Sequence, residues 1–206
     1  MTNDTEQKQP DWTNLPEGMA TESLWNCLHD GSLLDVNSDA LERTLKLTFD
    51  VDYVRDFNKL PDAVTFDLFF SGVQSVRSLQ YRVWPGAAPD IQVGTPPEEQ
   101  SRLVAQYQSK WREESEDWQT FENIVKLNTN DSPEVADANL AMGTSGIALR
   151  LGLLMPDESY RDVFVRAESL EISLSNGQHL TLQAFLALGE GYWKAFAARR
   201  PENESD

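Results

Sequence analysis

The sequence predicts an α+β fold: a mainly antiparallel β-sheet or partly open barrel of about seven or eight strands, with two or more covering helices, the last of them C-terminal. Three observations carry this expectation. Apolar and polar residues alternate with a period of two in several separate segments, as strands with one buried face do. Short turn signals such as Ser71-Gly72 and Asn176-Gly177 separate these segments and suit antiparallel connections. Near the end of the chain the period changes. Phe185, Leu188, Tyr192 and Phe196 fall on one helical stripe.

Residues 1–18 are polar, carry Pro10 and Pro16, and are expected to be flexible, with Trp12 as the one candidate to dock on the body. Residues 19–199 then form a single domain, and 200–206 a disordered acidic tail. Asp30-Gly31 marks a turn before a short strand from Leu33 to Val36. The clearest alternation follows. Leu45, Leu47, Phe49, Val51 and Tyr53 point one way, and Lys46, Thr48, Asp50 and Asp52 the other. Val64, Phe66, Leu68 and Phe70 mark the next strand, and Ser75 to Trp84 another, so that four consecutive strands suggest a meander.

Prolines and glycines interrupt the pattern over residues 85–97, after which Thr95-Pro-Pro-Glu98 has the form of a capping box. Leu103, Tyr107 and Trp111 continue that helix. Glu113, Glu114, Glu116 and Asp117 would oppose the dipole at a helix C-terminus, so a break near Arg112 is expected, with Ser115 capping a second helix. Asp131 or Ser132 before Pro133-Glu134 reads as a further, short helix start. Ile147 to Leu153 and Asp162 to Ala167 alternate as strands.

A hairpin precedes the last helix. A three-residue loop of Ser175, Asn176 and Gly177 sets Ile172 opposite Leu180 and Leu170 opposite Leu182, which keeps every apolar side chain on one face. Gly177 is then expected in the left-handed region as a G1 bulge. The helix spans about residues 183–199, and its two glycines each cost about 1 kcal/mol against alanine. Either a break at Gly189 or a close approach of the helix backbone to a strand would account for them.

Charge narrows the function classes. Seventeen Lys and Arg against thirty-four Asp and Glu give a formal net charge of −17. Such a field repels nucleic acid and anionic membranes and attracts a basic protein. The single cysteine, Cys27, excludes an intramolecular disulfide and a cysteine-based zinc cluster. The first residues lack the apolar core of a secretory signal and no stretch has the length of a transmembrane helix, so a cytoplasmic location is expected.

Motifs for chemistry are sparse. His29 and His179 are the only histidines, and no Gly-x-Ser-x-Gly elbow, dinucleotide fingerprint or phosphate loop accompanies them. Cys27 in a leucine-rich segment suits a buried, inert thiol better than a nucleophile. Asn128-Thr-Asn-Asp131 lacks the glycine and glutamate of a calcium loop. No cofactor is implied. These features favour a non-catalytic protein-binding module, for example an immunity or antitoxin type that neutralises a basic partner. Glu113, Glu114, Glu116, Asp117 and Trp84 are its candidate contacts. The alternative is a small-ligand-binding barrel, or an enzyme on that scaffold, using Asp50, Asp52 and His179.

Overall fold

The computed structural model describes residues 15–16, 18–81, 91, 94–115 and 132–199. The fold is α+β. Among the described residues there are eleven strands in one open antiparallel sheet and four helices. In chain order they are β1 (Ala20–Ser23), α1 (Trp25–Leu28), β2 (Ser32–Asp39), β3 (Thr44–Asp50), α2 (Asp52–Phe57), β4 (Phe66–Ser71) and β5 (Ser75–Tyr81). Then come α3 (Pro97–Trp111), β6 (Arg112–Ser115), β7 (Glu134–Gly143), β8 (Gly146–Leu154), β9 (Tyr160–Ala167), β10 (Ser169–Leu174), β11 (His179–Leu180) and α4 (Leu182–Arg199).

The ladder runs β11-β10-β4-β3-β2-β7-β8-β9-β5-β6, with β1 alongside β7. Its two halves meet at one residue pair, Ser32 opposite Glu134. A single apolar cluster includes Leu45, Leu47 and Phe49 of β3, Phe66, Leu68 and Phe70 of β4, and Leu149, Leu151 and Leu153 of β8. The sheet therefore folds around its own apolar side, and β10 lies against β8. Lys46, Thr48 and Asp50 fall on the opposite, half-exposed side of β3.

Three expectations need correction. First, three strands escape the pattern search: β1 and β6 are four residues long, and β7 was expected to be a helix. In β7 a bulge between Val135 and Asp137 sets the buried Val135 and Ala138 three positions apart. That spacing imitates a helix, and the Pro-Glu start reinforces it. Second, the meander stops at three strands. Gly72 adopts φ +60° and the chain crosses over: Val73 N–H donates to Arg43 O at 2.8 Å, and Gln74 N–H to Arg166 O at 2.8 Å. Strand β5 then pairs with β9, and β10 takes the place beside β4. Third, β3 ends at Asp50. Tyr53, Val54 and Phe57 have helical spacing, and Arg55 N–H donates to Val51 O at 3.0 Å inside α2.

The break at Arg112 is present, but it leads into β6 beside β5 rather than into a second helix, with Gln80 opposite Glu113 and Leu79 opposite Glu114. The C-terminal hairpin has the expected register, Ile172 opposite Leu180, and Gly177 has φ +87°. Leu182 does not extend the ladder; it opens α4. Thr181 caps that helix, its Oγ1 accepting from Ala184 N–H at 3.1 Å.

Helix α4 is continuous through both glycines. At Gly189 the partner in close approach is α1, not a strand. A Cβ there would overlap the Asn26 carbonyl oxygen and come within 2.7 Å of Cys27 Sγ. A Cβ on Gly191 would come within 3.3 Å of the Phe57 ring. Gly189→Ala should therefore destabilise the fold by about 1–3 kcal/mol in urea unfolding, because overpacking outweighs alanine's better helix propensity. A stabilised variant would show that α4 does not press on α1.

Candidate functional site

The residues singled out in the sequence do not converge. Asp50 ends β3 and pairs with Arg55, whose guanidinium also lies 3.8 Å from Asp56. Asp52 opens α2 and accepts from the Tyr53 N–H at 2.6 Å, so the two acids do not share a strand face. His179 is exposed on β11 opposite Ser173, with β10 and β4 between it and β3. Glu113 and Glu114 are successive positions of β6. Trp84, Glu116 and Asp117 lie outside the described residues, as do Trp12 and the segment 128–131. No group of three or more His, Cys, Asp or Glu suited to a metal occurs among the described residues.

What the fold does bring together is aromatic. Helices α1, α2 and α4 carry a chain of ring contacts on their outer side. Trp25 stacks on His29 with centroids 4.2 Å apart, and Trp193 lies 4.9 Å from Trp25. Tyr53 contacts Tyr192 at 4.5 Å and Trp193 at 5.8 Å. Phe57 and Phe196 meet Tyr192 at 5.8 and 6.1 Å and complete the cluster. Each such pair contributes about 0.5–1.5 kcal/mol beyond its buried area, so the rings hold one another in place.

One backbone atom organises the cluster. A four-residue helix leaves carbonyls without intrahelical partners. The Asp30 N–H, four residues beyond Asn26, donates to Val135 O at 3.0 Å instead. The Asn26 carbonyl is thereby left to accept from Trp193 Nε1 at 3.1 Å and from the Tyr53 hydroxyl at 3.2 Å. Burial raises the Tyr53 phenol above its ordinary pKa and keeps that donor protonated.

The α4 stripe has two halves. Phe185 is fully buried and Leu188 packs on the core, whereas Tyr192 is half-buried and Phe196 is 44% exposed. Phe57, on α2, is 40% exposed beside them. Exposed acids neighbour the ring residues in the chain: Asp30 follows His29, Asp52 precedes Tyr53, Asp56 precedes Phe57, and Glu190 lies two positions before Tyr192. Arg55 is committed to Asp50, and Lys194 to Glu190 at 3.0 Å. Sequence reasoning used the apolar stripe only to identify the helix and did not separate its buried half from its exposed half. The available signal was its length, since it runs two turns past Leu188.

Asp30 lies in the turn expected at Asp30-Gly31. It adopts φ +58°, a left-handed conformation unusual for a non-glycine residue. This turn folds its carboxylate back to His29, with Nε2 3.1 Å from Oδ1. Neighbours in sequence do not face each other in a regular strand or helix; the left-handed residue makes it possible. Cys27 is buried, and its thiol donates to Phe185 O at 3.2 Å. Burial pushes its pKa up to about 12, so the thiolate needed for nucleophilic chemistry is absent near neutral pH.

A second polar cluster lies on the other side of β8 and β9. Asp162 is buried, and Arg150 reaches its Oδ1 with both Nε and Nη2 at 3.3 Å while Nη1 lies 3.8 Å from Asp137. Tyr160 lies over Gly152, where an added Cβ would overlap its hydroxyl. Burial disfavours the Arg150 cation, but Asp162 and Asp137 more than offset this and raise its pKa. For Asp162 burial dominates: its pKa rises although Arg150 pulls it down. A cleft lined by Gln74, Ser145, Ile147 and Arg166 contains neither cluster.

No protein-family model matches the chain. The search of curated proteins finds no match.

The Asp162 shift fixes the sign of a pH effect. A carboxyl raised in the folded state favours folding at low pH, and this contribution is lost as pH rises from about 3.9 through the folded pKa. Asp162→Asn removes it. The variant's stability relative to the parent should therefore increase as pH rises above about 4 and through the folded pKa, in urea unfolding. A relative loss over that range would mean that the Arg150 pair outweighs burial.

Proposed function

We propose that the chain is a non-catalytic protein-binding module whose docking surface is the aromatic cluster of α1, α2 and α4, and that its partner is basic. The observation that supports this best is the exposure of Phe57 and Phe196, at 40% and 44%, on a preorganised aromatic platform whose helices also carry exposed acids. Aromatic anchors at the centre of a contact and charged residues at its rim are the usual anatomy of protein interfaces. Fixed rings lower the ordering cost of binding.

The net charge of −17 supplies the long-range attraction. It favours a basic protein over nucleic acid or an anionic membrane as partner. Glu113, Glu114, Glu116 and Asp117 contribute to that field, and Trp84 remains a candidate contact. No helix of the described residues is long and apolar enough to cross a membrane. An antitoxin that masks a basic toxin by surface complementarity is one concrete form of this function.

A complex isolated at low salt from the native host should dissociate as ionic strength rises. Replacing Phe57 and Phe196 together with serine should weaken it roughly tenfold or more, because interface aromatics often carry over 1 kcal/mol each. Both side chains lie outside the buried core, so the double variant should stay folded, with a urea midpoint lowered by the loss of ring contacts worth about 1–3 kcal/mol. A host complex indifferent to both substitutions would place the interface elsewhere.

A further inference from the structure

Building on the docking surface proposed above, we infer that the corner formed by Trp25, His29, Trp193 and Asp30 receives an arginine side chain of the basic partner. Three features of that corner point to a cation. The first is the rings. Indole faces are the strongest aromatic acceptors of a cation, and here Trp25 and Trp193 lie 4.9 Å apart with an interplanar angle of 30°. Both residues are partly exposed.

The second feature is the carboxylate beside them. Asp30 is 58% exposed and is turned toward His29 by its left-handed backbone, so an acid is held at the edge of the stacked rings. The third is that Arg55 and Lys194 of the adjoining helices pair with Asp50 and Glu190, while the Asp30 carboxylate contacts His29, with Nε2 at 3.1 Å from Oδ1. Guanidinium fits this combination better than ammonium does. It is planar, stacks on indole, and offers parallel N–H donors to a carboxylate while remaining on the ring.

The corner is also rigid before anything binds. Trp193 is oriented by its bond to the Asn26 carbonyl, and α1 is pinned by Leu24 N–H to Ala138 O at 2.9 Å and Asp30 N–H to Val135 O at 3.0 Å. An incoming arginine would meet a surface already in its binding geometry.

The test is an NMR titration of the full chain with N-acetyl-arginine amide, following the indole N–H resonances. N-acetyl-lysine amide and the neutral isostere N-acetyl-citrulline amide serve as comparisons. Saturable shifts at Trp25 and Trp193 are expected with arginine, weaker ones with lysine and none with citrulline. Asp30→Asn should weaken arginine binding about threefold to tenfold. Asparagine tolerates the left-handed region well, so this variant retains the turn.

Equal shifts with citrulline, shifts confined to other indoles, or unchanged affinity in Asp30→Asn would each overturn the assignment. The docking surface is judged separately by the Phe57 and Phe196 substitutions. Loss of the host complex in that variant, with no arginine response at the corner, leaves the surface standing and removes the arginine site. Arginine binding with an unaffected host complex does the reverse.

Discussion

The contact between α4 and α1 at Gly189 is the constraint on which the rest of the helical side depends. Helix backbones come this close only where one side chain is missing, and here the absent Cβ makes room for the Asn26 carbonyl. That proximity brings Trp193 within hydrogen-bonding distance of the same carbonyl and sets Tyr192 against Tyr53. Helix α2 joins through Asn58, whose side-chain amide donates to Leu188 O at 3.2 Å. A residue that weakens the helix intrinsically thus positions three helices. The propensity loss of about 1 kcal/mol is set against packing and hydrogen bonds that only a glycine permits.

Much of the sheet was legible from residue alternation, because β3, β4, β8 and β10 each bury one side chain in two against the apolar cluster. Where that regularity failed, the reasons were local. The bulge in β7 shifts the phase of its buried residues, and a similar irregularity in β2 separates Leu33 from Val36 by three positions. Such insertions mimic the spacing of a helix. The Tyr53 alternation failed differently: Val51 continues the strand's parity but already belongs to the start of a helical turn. Strand order lay beyond pattern reading. The crossover at residues 72–74 depends on long-range pairing of β5 with β9, and nothing in the segment itself encodes its destination.

The candidate site was less legible, for a related reason. Charge and motif spacing directed attention to acids, yet Asp50 is satisfied by Arg55 and Asp52 serves a helix start. The aromatic cluster draws two or three residues from each of three segments far apart in sequence, each with an ordinary role when read alone. Asp30 is a turn residue and Trp25 one side chain of a four-residue helix. Only the folded arrangement shows that they adjoin Trp193. The buried Asp162–Arg150 pair was invisible for the same reason, since its partners meet diagonally across neighbouring strands, where Asp162 lies opposite Gly152 and Arg150 opposite Phe164.

The division of α4 into a buried half and an exposed half has an evolutionary consequence. Phe185 and Gly189 are locked to the core and to α1, so drift at those positions is penalised through folding. Phe196 lies two turns beyond, where a substitution loses ring contacts with Tyr192 and Trp193 but no core packing. Substitutions there change the exposed surface while leaving the buried core intact. A lineage carrying this scaffold could vary its surface along the last two turns of one helix while the sheet beneath stayed the same.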